Sequence, residues 1–104
     1  MKLLILLAAL VGGSAVAEGT ACPGVTFSYD LVFRGGEKAL ITVTGDGNGD
    51  IDCELYDSQG KLLALDAAPG DRCRIEWTPK TTSTLTLLVS NSGTKCDRFL
   101  VVAH

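Results

Sequence analysis

The sequence predicts an all-β fold, an antiparallel β-sandwich of short strands held together by disulfides. Three observations carry this expectation. Apolar and polar residues alternate in segment after segment, as in Val25, Phe27, Tyr29, Leu31 and Phe33 against Thr26, Ser28, Asp30 and Val32; a period of two marks strands buried on one face. Glycine, proline, asparagine and aspartate punctuate the chain about every eight to twelve residues, the spacing of sandwich turns. Four cysteines, Cys22, Cys53, Cys73 and Cys96, form an even set, which favours two disulfides in an exported chain.

Export is read from residues 1–17. Lys2 gives a positive start, Leu3 to Val11 is an unbroken apolar run, and Ala15-Val16-Ala17 has the small-x-small pattern of a signal-peptidase site. The run is too short to span a bilayer core of ~30 Å once Gly12, Gly13 and Ser14 interrupt it. Gly19 stands where a lipoprotein signal would have a leucine-like residue before Cys22, so cleavage after Ala17 is expected. The domain then comprises residues 18–104, in a secreted or periplasmic bacterial setting, with no membrane association after cleavage. A domain of that size buries only about 60 to 65% of its unfolded surface, so its core needs reinforcement.

The strands follow in order. Glu18 to Gly24 reads as a leader closed by the Pro23-Gly24 turn. Val25 to Phe33 alternates cleanly and stops at Gly35-Gly36. Ala39 to Thr44 is a short strand of β-branched character. The loop Gly45-Asp46-Gly47-Asn48-Gly49-Asp50 leads into Ile51 to Asp57, with Ile51, Cys53 and Leu55 inward and Asp52, Glu54 and Tyr56 outward. Ser58-Gln59-Gly60 turns the chain into Lys61 to Leu65, and Ala67-Ala68-Pro69-Gly70 turns it again. Arg72 to Trp77 places Cys73, Ile75 and Trp77 inward; Pro79 ends it. Leu85, Leu87 and Val89 alternate with Thr86, Leu88 and Ser90, and Phe99 to Ala103 is the last strand. Leu88 and Val32 break the alternation, as residues under a loop or on doubly covered strands would.

Three cysteine pairings are open. Cys53 and Cys73 both point inward from strands separated by one hairpin-like excursion, which makes Cys53–Cys73 the simplest pairing and leaves Cys22–Cys96 to tie the N-terminal segment to the loop before the last strand. In the loop-entropy account these bridges contribute about 3 and about 4.5 kcal/mol. Arg72 and Arg74, facing outward, are placed opposite Asp52 and Glu54 on an adjacent strand; such cross-strand pairs contribute roughly 0.2 to 1 kcal/mol.

From about Phe33 to Phe99 the chain resembles the bacterial pre-peptidase C-terminal domain. The matching pieces are Phe33-Arg34-Gly35-Gly36-Glu37, Ala39-Leu40-Ile41-Thr42-Val43, Gly49-Asp50-Ile51-Asp52-Cys53-Glu54-Leu55-Tyr56-Asp57 with Gly60, Trp77-Thr78-Pro79, Leu85-Thr86-Leu87-Leu88-Val89, and Asn91, Gly93 and Phe99. The resemblance is to a variant with a core cysteine pair matching Cys53 and Cys73. It departs at Ser83 and Leu85, where the family has a glycine turn and an aromatic, and in standing apart from a larger secreted enzyme. It implies a jelly-roll-like antiparallel β-sandwich of seven to eight strands and an accessory role in secretion, stability or contact with a substrate or surface, with calcium bound in some members.

The chemistry is sparse. Asp46, Asn48, Asp50 and Asp52 are hard oxygen donors at alternating positions, a candidate loop-type calcium site. They are not an EF-hand, which needs glycine where Ile51 stands, and the simpler reading is a solvated turn whose glycines and Asx residues shape the backbone. Asp50 and Asp52, on the outward face beside Glu54, read as part of an acidic edge strand, a device against sheet-to-sheet association, rather than as a general acid–base pair. Zinc lacks its ligand spacing. Ser28, Ser58, Ser83, Ser90 and Ser92 have no histidine partner except His104, at the end of the sequence, where a mobile residue is a poor base. Phe27, Phe33 and Trp77 face the core, and Tyr56 is the outward aromatic available to a protein or glycan. The net charge of −3 with no basic cluster argues against nucleic acid. The sequence therefore predicts an exported, non-catalytic accessory or binding module with no required cofactor. Its partner is an unidentified protein or surface, a co-exported enzyme among the candidates. The alternatives are a calcium-binding sandwich and a small secreted inhibitor or toxin-like protein.

Overall fold

The computed structural model describes residues 2–6 and 15–104; residues 7–14, which include the greater part of the expected signal's apolar run, lie outside the described residues. Nine strands, β1 (Lys2–Leu6), β2 (Ala15–Ala21), β3 (Thr26–Phe33), β4 (Ala39–Thr44), β5 (Ile51–Tyr56), β6 (Leu62–Asp66), β7 (Arg72–Trp77), β8 (Ser83–Asn91) and β9 (Asp97–Ala103), are described. They form a five-stranded sheet ordered β1-β3-β8-β5-β6 and a four-stranded sheet ordered β2-β9-β4-β7. Every pairing is antiparallel except that of β1, which runs parallel to β3. Consecutive strands lie in different sheets throughout, except β5 and β6, the crossing pattern of a jelly-roll-like sandwich.

The alternation read from the sequence is the alternation of burial. Phe27, Tyr29, Leu31 and Phe33 of β3, Ile51, Cys53 and Leu55 of β5, and Leu85, Leu87 and Val89 of β8 face Ile41, Val43, Cys73, Ile75, Phe99 and Val101 across one core. Trp77 packs at its margin. Phe27 meets Phe99 edge to face, with ring centroids 5.0 Å apart. The Cys53–Cys73 and Cys22–Cys96 disulfides both form. Because β5 and β7 belong to different sheets, Cys53–Cys73 crosses the core and fixes the two layers to each other.

The same topology corrects three expectations. Arg72 and Arg74 do not face Asp52 and Glu54, since their strands lie in opposite sheets with outward faces turned apart. Arg74 instead pairs with Glu76 at 2.5 Å, Glu76 also meets Lys38 at 2.9 Å, and Glu54 accepts a hydrogen bond from Tyr56. Strand β5 is not an edge, because it lies between β8 and β6; Asp52 and Glu54 therefore guard no open ladder. Residues 18–21 are not a leader but part of β2, which pairs with β9 from Ala15 opposite Ala103 to Ala21 opposite Asp97. The backbone of His104 exchanges hydrogen bonds with Leu40, so the strand pairing continues to that residue.

Strand β2 also has a packing reason for its glycine. A Cβ at Gly19 would lie 2.7 Å from Phe99 Cζ and 2.8 Å from Phe27 Cε2, so the backbone there is pressed against the aromatic pair of the core. Two buried polar groups stand out beneath the loops. Asn91, 3% exposed, accepts from the N–H of Asp50 and Gly93 and donates to the carbonyls of Ala21 and Lys95. It fills its hydrogen-bonding capacity and joins the end of β2, the entry to β5 and the β8–β9 loop. Tyr29 is the opposite case: it is fully buried, its hydroxyl has no partner, and burial pushes its pKa up to about 12.

Three outcomes follow from these groups. Tyr29→Phe removes an unpaired buried hydroxyl and should raise stability by about 1 kcal/mol in chemical denaturation with the disulfides intact. The wild-type chain should also lose stability as pH rises above about 10, because the unfolded tyrosine ionises there while the folded one holds its proton until about 12; Tyr29→Phe should flatten that alkaline slope. Asn91→Ala strands two N–H groups and two carbonyls and should cost about 3 kcal/mol or more. A loss below about 1 kcal/mol would show that the loops hold together without it.

Candidate functional site

Two places concentrate chemistry. The first is the β4–β5 loop. Asp97, at the start of β9, is fully buried, and its carboxylate accepts from Asp46 N–H at 2.7 Å and from Gly49 N–H at 3.1 Å. Gly45 and Gly49 let the loop close on it: a Cβ at Gly45 would lie 2.4 Å from Asp97 Oδ2, and one at Gly49 2.6 Å from Asp97 Cβ. Asp71, just before β7, accepts from Gly47 N–H. Asp46 turns back on its own loop, accepting from Asn48 N–H, and also accepts from Arg98 N–H.

The result is three carboxylates, Asp46, Asp71 and Asp97, each offering an oxygen, with those oxygens within 4.8 Å of one another. Burial raises the pKa of Asp97 above the usual carboxylate range, and the charges of Asp46 and Asp71 push the same way. The hydrogen bond from Asp97 holds exposed Asp46 below that range. Of the two, buried Asp97 therefore gives up its proton less readily than exposed Asp46. Hard oxygen donors in this arrangement suit calcium or magnesium rather than a thiophilic or imidazole-seeking metal.

Of the residues read from the sequence as calcium donors, Asp46 is in this trio. Asn48 is exposed on the loop, and Asp50 lies at its end, with one carboxylate oxygen buried and unpartnered. Asp52 is on β5 opposite Ser90. Asp71 and Asp97 escaped notice because they lie 24 residues from Gly47 and 51 from Asp46. The signal for them was the Gly45, Gly47, Gly49 series, since glycine at alternate positions marks a backbone that something approaches closely.

The second place is on the outer face of the five-stranded sheet. Tyr56 and Leu88 project outward from β5 and β8, Thr86 lies beside Tyr56 in register, and the turn residues Asp57, Ser58 and Gly60 rise at one end. Together they line an open groove of about 390 Å³. Leu88, which broke the expected alternation, is half-buried and lines this groove. The Tyr56 hydroxyl donates to Glu54 Oε2 at 2.5 Å, which orients the ring and raises the phenol pKa above its ordinary value, chiefly through that hydrogen bond.

No family model matches the sequence, and no curated protein matches it. Solved structures do. The pre-peptidase C-terminal domain of collagenase from Bacillus anthracis superposes with a TM-score of 0.70 at 12% identity, over 100% of this chain and 95% of that one. PliG from Aeromonas hydrophila, a periplasmic lysozyme inhibitor of g-type lysozyme, superposes with a TM-score of 0.65 at 16% identity, over 98% and 97%. CorA from Methylomicrobium album BG8, a surface-associated copper-binding protein, gives 0.71 at 9% identity, over 99% and 98%. At these identities the likeness is one of architecture: the chain has the fold that the pre-peptidase C-terminal domain also has, with two disulfides.

Proposed function

We propose that the protein is an exported, non-catalytic binding module that acts on another protein, in the manner of an inhibitor or accessory domain. The observation that carries this reading is the groove around Tyr56. It presents one oriented aromatic ring beside apolar Leu88 on a stapled, two-layer frame, and a rigid aromatic anchor of this kind concentrates binding energy. The periplasmic lysozyme inhibitors of the same fold, from Aeromonas hydrophila and Salmonella Typhimurium, support a protein partner and a setting outside the cytoplasm. The disulfides support that setting too. In this reading residues 1–17 are the export signal and cleavage leaves Glu18–Ala21 of β2 in place, so that Gly19 and the Cys22–Cys96 bridge stay with the domain.

A second reading rests on the trio Asp46, Asp71 and Asp97, whose convergence favours a hard divalent cation that braces the loop. The copper named for CorA is a poor match to an all-carboxylate set. In both readings the fold is a scaffold, and the function lies in the site it carries.

Two experiments test these readings. Inhibition of g-type and other lysozymes, and of secreted peptidases, should be measured with the oxidised protein. Tyr56→Ala should weaken any inhibition found by about 30-fold, the scale of a central aromatic anchor, without lowering the melting temperature appreciably. Full potency in Tyr56→Ala would remove the groove as the site. For the cation, melting with millimolar calcium against a chelator should show an upward shift of several degrees that is absent in Asp71→Ala. Equal melting temperatures would leave the trio as hydrogen-bond acceptors for the loop alone.

A further inference from the structure

The sheets end on four strands, β1 and β6 in one and β2 and β7 in the other. Natural sheets blunt such edges with charge, short strands or irregular register. Strand β7 presents Arg72, Arg74 and Glu76, all exposed. Strand β6 is short, its register with β5 shifts at Leu55/Tyr56, and its Asp66 carboxylate accepts from Arg74 N–H of β7. Strand β2 contains Glu18 and Gly19. Strand β3, directly beneath β1, has none of these defences. It runs for eight residues in unbroken register with β8, without proline, and its one charge is Asp30. Residues Lys2–Leu6 pair with Thr26–Asp30 of this strand in a five-residue parallel ladder. Ser28 points to the outer face, yet it is 1% exposed.

On the export reading above, residues 2–6 leave with the signal and β3 becomes the end of the sheet. A long, regular edge with a single charge is a template for another strand. We propose that the edge of β3 is a strand-acceptor site which, in the processed protein, takes an extended apolar segment of another protein in the parallel sense that residues 2–6 adopt. The direction matters. Two copies meeting through the same edge pair their strands antiparallel in the usual two-fold dimer, whereas the seated segment is parallel. The occupant is therefore a foreign segment and not a second β3. Main-chain hydrogen bonds would supply the affinity and alternate side chains the selectivity.

The test uses protein exported through its own signal, with the N-terminus read by mass and the amide exchange of Thr26–Phe33 followed by mass spectrometry or NMR. The probe is a synthetic Lys-Leu-Leu-Ile-Leu peptide carrying extra lysines for solubility. In protein beginning at Glu18, the outer β3 amides should exchange fast, slow by about tenfold or more on adding the peptide, and stay fast with a peptide N-methylated at alternate residues. Equal exchange with and without peptide overturns the proposal. So does equal protection by the N-methylated peptide, or a dimer that already protects β3 in the free protein. Protein that still begins at Met1 would overturn the export reading alone. In that chain Leu4→Pro, which breaks the β1 ladder without touching β3–β8, should speed exchange of Thr26–Asp30, and unchanged exchange there would overturn the acceptor site.

Discussion

The loop end of this sandwich depends on one buried carboxylate. Asp97 lies with no exposure at the start of β9 and takes the amides of Asp46 and Gly49. Burying an acid is costly unless hydrogen bonds compensate, and here the compensation shapes the chain: the β4–β5 loop must fold over Asp97 to supply its donors, and only glycine fits where the backbone closes on it. Asn91 does the same for the neighbouring segments. Cys96 directly precedes Asp97 and Cys22 directly follows Ala21, whose carbonyl Asn91 holds. The Cys22–Cys96 bridge therefore closes covalently the same knot of chain that the two polar side chains close by hydrogen bonding.

The second constraint acts across the layers. Cys53 and Cys73 join an interior strand of one sheet to the edge strand of the other, through a core of alternating inward residues. A small domain gains little from its core alone, and a link between sheets removes unfolded conformations in which the two layers separate. With the layers locked by one bridge and the loop end by the other, the outer face of the β3-β8-β5 sheet becomes a firm platform. A binding surface gains from such preorganisation because less order remains to be imposed on contact.

The strands were legible because burial on one face writes itself as alternation. Seven of the nine were placed to within about two residues, and the inward cysteines followed from the same parity. What stayed hidden was relational. Strand β2 covers what the sequence presents as the end of a signal, Ala15–Ala17, and the start of a leader, because Ala15, Ala17, Gly19 and Ala21 are small; its pairing with β9 depends on a strand at the other end of the chain. The Arg72 and Arg74 pairing failed because parity tells which way a side chain points but not which sheet carries it. The acidic site was half legible: Asp46 stands in a loop that looks like a site, whereas Asp71 and Asp97 are single acids beside a turn and a cysteine, gathered only by the fold.

The two surface features lie on one sheet, and their spacing has a consequence for recognition. Ser28 of β3 is in register with Leu88 of β8, and Leu88 with Glu54 of β5. Adjacent strands lie about 4.8 Å apart, so a strand added beyond β3 is roughly 14 Å from β5, the strand that carries Tyr56. An extended chain covers that distance in about four or five residues. One partner segment is thus long enough to pair with β3, turn over the outer face past Leu88 and reach the Tyr56 groove. Neither contact need be strong by itself, because holding the first end raises the effective concentration of the second into the millimolar range. The edge supplies direction and register through the main chain, and the groove supplies discrimination through a side chain. A stapled sandwich would in this way distinguish one extended segment from another.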